Sequence, residues 1–166
     1  MKLHWLSSLA LPIDHGRSFR AKRLFGDNKT YRGIVAVAMG TALGFGIQTI
    51  LHIGIEPRNL ELLDYKISSD LFIGLAMGAA AMLSELPNSF IKRQLDIVPG
   101  TVVSGAGGLA FYFLDQVDML VGVWLVLGFV VPVTVERILW SIVFFFIAHQ
   151  VATVTGYALE MRATAR

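Results

Sequence analysis

Two charged segments interrupt a chain that is otherwise apolar. The first carries Asp14, Arg17, Arg20, Lys22, Arg23, Asp27, Lys29 and Arg32, all within 19 residues of the uncharged run that starts at Gly33. The second carries Glu85, Ser89, Lys92 and Arg93, followed by Asp115 and Asp118. Lysines and arginines next to carboxylates are the groups that hold a phosphate chain and a hard cation. Lys29 and Lys92 offer compact ammonium donors, whereas Arg32 and Arg93 offer planar forks. Gly26-Asp27-Asn28 is a turn sequence able to expose backbone N–H groups, and Lys29-Thr30 places an ammonium and a hydroxyl where a helix begins, a suitable seat for phosphate. The competing reading is a basic anchor that only sets membrane orientation.

Asp115 and Asp118 are three residues apart, hence on one helical face. Either they cap and charge the first turn of a helix, or they form a carboxylate pair for Mg²⁺, which takes one or two carboxylates and completes its shell with phosphate oxygens. Glu85, Ser89 and Lys92 have i, i+4, i+7 spacing and share a face if the helix continues past Pro87. The alternative for them is a solvated helix end with Lys92 and Arg93 reaching lipid headgroups.

The elements that position these groups are membrane helices. The chain has 166 residues, 55% of them hydrophobic and 16% charged, with a mean hydropathy of +0.64. An integral membrane protein follows. The net charge of +2 gives no basis for nucleic-acid binding. With no cysteine, thiolate catalysis and cysteine metal sites are excluded. His4, His15 and His52 have no metal-ligand spacing, and neither a nucleophile triad nor a Walker-type loop is present. His149 and Gln150, inside an apolar run, point to an interhelical hydrogen bond.

Gly33 to Ile53 is long enough to span. Residues 70–86 form a second span, rich in Gly and Ala and suited to the inside of a bundle. Spans over 117–135 and 138–159 form an antiparallel hairpin, with Pro132 ending or kinking the third. Residues 100–114 are expected to be a mobile glycine-rich loop leading into an interfacial or re-entrant piece, and residues 3–11 an interfacial segment. Segments 1–32, 87–116 and 160–166 hold eleven of the fourteen Lys and Arg residues, which places them in the cytoplasm. The expectation is one membrane domain over 1–166, all-α: a polytopic helical bundle of about four transmembrane helices with cytoplasmic catalytic loops. It would lie in the cytoplasmic membrane with its active site facing the cytoplasm. Whether it forms a homo-oligomer is open.

Taken in order, Pro12-Ile-Asp14-His-Gly16, the run from Lys22 through Lys29-Thr30 to Gly33, Ser89-Phe-Ile-Lys92-Arg93, and Asp115-Gln-Val-Asp118 resemble the motifs of the CDP-archaeol synthase family, membrane relatives of the CDP-diacylglycerol synthases. The resemblance covers about residues 12–118. It implies cytidylyl transfer from CTP to a membrane lipid phosphate, releasing pyrophosphate, with Mg²⁺ as cofactor. By the same resemblance Asp115 and Asp118 hold the metal and are catalytic together with Lys29 and Lys92. Asp27, Lys29, Thr30, Arg32, Ser89, Lys92 and Arg93 form the nucleotide- and phosphate-binding set.

Two departures stand out. Ser84-Glu85 replaces a Gly-Asp of the diacylglycerol branch, and the link from Pro99-Gly100 to Asp115 is longer. The family also usually has a helix ahead of its Pro-x-Asp motif, so a fifth span is expected to be missing at the N-terminus. The alternative from another class is a non-catalytic membrane transporter or scaffold that keeps the fold.

Overall fold

The computed structural model describes residues 7–54, 67–98 and 106–158. Five helices dominate: α1 (Tyr31–Gly54), α2 (Ile67–Ser84), α3 (Leu86–Gln94), α4 (Ala106–Leu127) and α5 (Val135–Ala158). Three stretches, Tyr31–Leu51, Ser68–Gln94 and Val135–Gly156, are long and apolar enough to cross a membrane. The chain divides into two units, Met1–Val131 and Pro132–Arg166.

Within the first unit α2 packs against both α1 and α4. The reason is side-chain size. A Cβ on Gly74 would lie 2.7 Å from the Ala42 Cα, and one on Gly78 would lie 2.6 Å from the Ala38 Cα. On the other flank, a Cβ on Gly122 of α4 would come within 2.3 Å of the Ala80 carbonyl oxygen. Small residues let backbones approach this closely where lipid supplies no hydrophobic drive between helices, and the expectation that the Gly- and Ala-rich helix is the inner one holds. Farther along, the Thr49 hydroxyl of α1 meets Asp70 Oδ2 at 2.6 Å, both side chains buried. Asp70 sits in the first turn of α2, where the helix dipole favours a carboxylate.

α2 and α3 are nearly continuous, broken at Glu85, with Pro87 in the first turn of α3, where its missing N–H leaves no bond unmade. Asp96 ends α3 with a left-handed φ of 59°. α4 corrects the sequence reading, because residues 106–114 are helical and not a loop. Gly107-Gly108 is a weak helix start, yet the apolar run that follows continues into the aspartates, so tertiary packing overrides the local glycine signal. Residues 99–105 lie outside the described residues.

Ahead of α1, residues 7–30 make a folded cap. A 3-10 turn at Ser7–Leu9 leads to a hairpin of β1 (Ser18–Phe19) and β2 (Lys22–Arg23), closed by Arg20 and Ala21 at φ 52° and 63°. This small sheet is the one feature of the described residues that an all-α expectation omits. Pro12 bridges to Thr30, stitching the start of the cap to the start of α1.

In the second unit α5 begins with the Thr134 hydroxyl accepting the Arg137 N–H at 3.3 Å, an N-cap. Glu136 and Arg137 therefore belong to the first turn of α5, which starts three residues before the 138–159 span expected from the sequence. Pro132 lies in the connection after α4, as an imino acid that cannot extend a helix should.

Candidate functional site

Asp14 organises the cap. It is 3% exposed, and its carboxylate accepts hydrogen bonds from the backbone N–H groups of Gly16, Phe25 and Gly26 at 3.0–3.1 Å and from Arg23 at 2.7 Å. Burial alone pushes an Asp carboxyl up, but here the Arg23 guanidinium and the three backbone donors together hold it well below the usual carboxylate range. Arg23 also pairs with Asp27 at 3.0 Å. That pair leaves the Asp27 side chain 76% exposed. Thr30 caps α1, its Oγ1 accepting the Gly33 N–H at 3.1 Å, and Arg32 is exposed in the first turn of α1.

The cap docks on α3. Lys22 Nζ donates to the Gln94 carbonyl at 2.7 Å and to Asp96 Oδ2 at 2.6 Å, and the Phe19 and Phe90 rings lie 6.0 Å apart. Satisfying the open carbonyls at the end of a helix with a lysine is favourable for both bonding and the helix dipole. The packing of α1 on α2, which sets Gly33 beside Met82, brings Lys29 to the α2–α3 junction, where its ammonium pairs with Glu85. The two charged segments of the sequence therefore meet, although 56 residues separate these partners.

Two turns farther along α3, Lys92 Nζ contacts Asp115 Oδ2 at 2.6 Å and lies 5.4 Å from the Phe111 ring centroid. Asn88 Nδ2 donates to Asp115 Oδ1 at 2.7 Å. Asp118, one turn on, lies within electrostatic reach of Asn88, Asp115, Glu85 and Lys92. Ser89 is buried in α3 and Arg93 half-buried near its end.

Asp115 and Asp118 are not at a helix start, since α4 begins at Ala106. The capping alternative for Asp115 is thereby removed. Two carboxylates in mid-helix, in a mainly apolar sequence, need partners or a ligand.

The sequence reading weighed Glu85 only as a member of a helical face and missed Asn88. The signal for both was present: positions 85, 88 and 92 fall on the same stripe as Ser89, directly beside the prolyl residue that sets the start of α3.

The donor set fits a hard divalent cation. Asp118 Oδ2 and Asn88 Oδ1 are buried oxygen acceptors without a hydrogen-bond donor, beside the carboxylate of Asp115. Oxygen-only donors of this kind suit Mg²⁺. Among the described residues no three His, Cys, Asp or Glu side chains gather as a ligand cluster. A cation here would accordingly need amide and phosphate oxygens as well as carboxylates.

The chain matches, over residues 6–165, the family model described as CarS-like, CDP-archaeol synthase. It is 32% identical over 153 residues to the CDP-archaeol synthase of Pyrobaculum arsenaticum, covering 91% of this chain and 79% of the relative. With the enzyme of that name from Methanosarcina barkeri the identity is 31% over 131 residues, 73% of this chain and 67% of the relative. With that of Methanocaldococcus jannaschii it is 29% over 156 residues, 91% and 81%. No solved structure matches. On the family match and these relatives, the chain belongs to the CDP-archaeol synthase family.

Proposed function

We propose that this chain is a membrane-embedded, CTP-dependent cytidylyltransferase that converts a lipid phosphate to a CDP-lipid and releases pyrophosphate, in keeping with the name its relatives carry. The observation that carries the reading is the convergence of Lys29, Glu85, Asn88, Lys92, Asp115 and Asp118 at one junction of cap, α3 and α4. A transporter or scaffold would not need these groups together, and the family membership does not favour it.

An oxygen of the ionised lipid phosphate attacks the α-phosphorus of CTP, a new P–O bond forms, and the bond from the α-phosphorus to the bridging oxygen breaks as pyrophosphate leaves. The phosphate is already a nucleophile, so no general base is required, and catalysis rests on positioning and on stabilising the charge that moves onto pyrophosphate. Lys29 and Lys92 supply ammonium groups to the phosphates, while Arg32 and Arg93 supply bidentate donors. Thr30 fixes the start of α1 directly after Lys29, and Ser89 lies buried in α3 one turn before Lys92 and Arg93. Asp115 and Asp118 would hold Mg²⁺, and a divalent cation at this place neutralises phosphate charge and orients the reacting oxygens. Asp27 holds the cap through Arg23.

Membrane orientation follows from the basic asymmetry, with the cap and the end of α3 in the cytoplasm and four spans in all. Incubating the purified chain with labelled CTP, Mg²⁺ and a panel of ether-isoprenoid, diacyl and polyprenyl phosphates tests the reading by mass detection of a CDP-lipid. Formation of one product that Asp115→Asn abolishes is the expected result. No product from any lipid phosphate refutes it.

A further inference from the structure

We infer that Asn88 is a direct oxygen ligand of the divalent cation held by Asp115 and Asp118, in addition to orienting Asp115. The inference rests on the cytidylyltransferase reading and adds to it a neutral ligand from α3.

Asn88 is 6% exposed and lies in the first turn of α3, directly after Pro87. Half of its amide is used: Nδ2 donates to Asp115 Oδ1 at 2.7 Å. The other half, Oδ1, is buried and has no donor. A buried amide oxygen without a partner is destabilising, and an apolar side chain of similar size would avoid the cost, so the residue calls for a ligand to explain it. The same holds for Asp118 Oδ2, the second buried acceptor without a donor in this cluster. Two such oxygens, on facing helices and beside one more carboxylate, are what a cation satisfies and what a donor-poor helix interface does not.

The reach is adequate. The oxygen and nitrogen of one amide are roughly 2.3 Å apart, so Asn88 Oδ1 lies no more than about 5 Å from Asp115 Oδ1. Octahedral Mg²⁺ with bonds of about 2.0–2.1 Å sets its ligand oxygens roughly 3 to 4 Å apart, within what a side-chain rotation at Asn88 covers. A neutral third oxygen also suits the charge balance, because Lys29 and Lys92 already meet Glu85 and Asp115.

The test uses the full chain in detergent with Mn²⁺ as the probe, read by its electron paramagnetic resonance signal and by metal-dependent thermal stabilisation. Wild type is expected to bind Mn²⁺ saturably and to release it to excess Mg²⁺. Asn88→Leu, which keeps the volume and removes both polar atoms, should weaken Mn²⁺ binding tenfold or more. Asn88→Asp, which restores an oxygen but no N–H donor, should bind within a few-fold of wild type or tighter and gain more thermal stability from Mn²⁺ than wild type does. Should Asn88→Leu fail to fold, Asn88→Ala, which also removes both polar atoms, carries the same expectation.

Wild-type affinity in Asn88→Leu or Asn88→Ala overturns the inference. So does Asn88→Asp binding as poorly as those variants, which leaves Asn88 only the role of holding Asp115. If Asp115→Asn and Asp118→Asn lose Mn²⁺ while the Asn88 variants keep it, the inference alone fails. If wild type binds no Mn²⁺, the metal-dependent reading of the site fails with it.

Discussion

Gly122→Ala adds one methyl group and should cost most of the activity. The new Cβ would stand 2.3 Å from the Ala80 carbonyl oxygen and 2.5 Å from Ser84 Oγ, where ordinary contacts begin at 3.4 Å. The serine can rotate, but the Ala80 carbonyl is backbone in the middle of α2. α4 must therefore retreat from α2 by about 1 Å. Asp118 and Asp115 lie one and two turns from Gly122 on the same helix, about 6 and 10 Å along its axis, and move with it. The contacts of Asp115 with Asn88 and Lys92 come from α3, which does not move with α4. Misplacing reacting groups by 1 Å can cost on the order of 100-fold in turnover. Overpacking should also lower stability by about 1–3 kcal/mol, offset in part by the better helix propensity of Ala, about 1 kcal/mol. CDP-lipid formation and thermal melting of the purified variant measure both effects. Gly40→Ala is the control, since no atom lies within 4 Å of its added Cβ, and it should be neutral or slightly stabilising. Gly122→Ala with wild-type turnover and melting temperature would refute the claim that this seam sets the position of the aspartates.

Asp14→Asn should unlatch the cap, with amide exchange at Phe25 and Gly26 accelerating roughly 30-fold, about 2 kcal/mol for a charged hydrogen-bond network. Because the folded carboxyl titrates below its usual 3.8, its contribution is complete above that value and fades as the pH falls through the lower folded one. Wild type and variant should converge in acid, and a difference that grows below pH 4 would be inconsistent with this. Lys29→Ala should weaken CTP turnover strongly, and Lys29→Arg should restore it only in part, because a planar fork does not replace an ammonium against Glu85; full activity in Lys29→Ala removes the residue from the site. In a chain without native cysteine, single cysteines at Asn28 and Leu95 should be labelled from one side of the membrane and one at Asn59 from the other. Labelling of Asn28 and Leu95 from opposite sides would contradict the docking of the cap on α3.

The helices α1, α2 and α5 were legible because long uncharged runs carry their own signal. So was the inner place of α2, since Gly74 and Gly78 have one use in such a sequence. The start of α4 was not, because Gly107-Gly108 reads locally as a loop. The type of each charged residue was readable, but its partner was not. Asp27 looks as available as Asp115, and only the fold shows that it is held by Arg23. Lys22 looked like one basic residue among several in an orienting cluster, and its bond to Gln94 spans 72 residues, beyond any local pattern. Asn88 escaped because an uncharged polar residue beside a proline resembles ordinary helix-start chemistry.

That reach from Lys22 to Gln94 and Asp96 also fixes an order of assembly. Chain synthesis runs from the N-terminus, so the cap emerges with its own hairpin and its Asp14 network, yet its docking surface does not exist until α3 has been made. Between those moments α1 and α2 must be inserted and packed together. The cap is therefore made before its docking surface and secured only after it, and a nascent chain halted before Gln94 should expose Lys22 and Phe19 to protease attack that the finished protein resists. Lys29 stands two residues ahead of α1 and meets Glu85 just past the end of α2, so this pair should form as soon as α1 and α2 are packed, before the cap is latched to the end of α3.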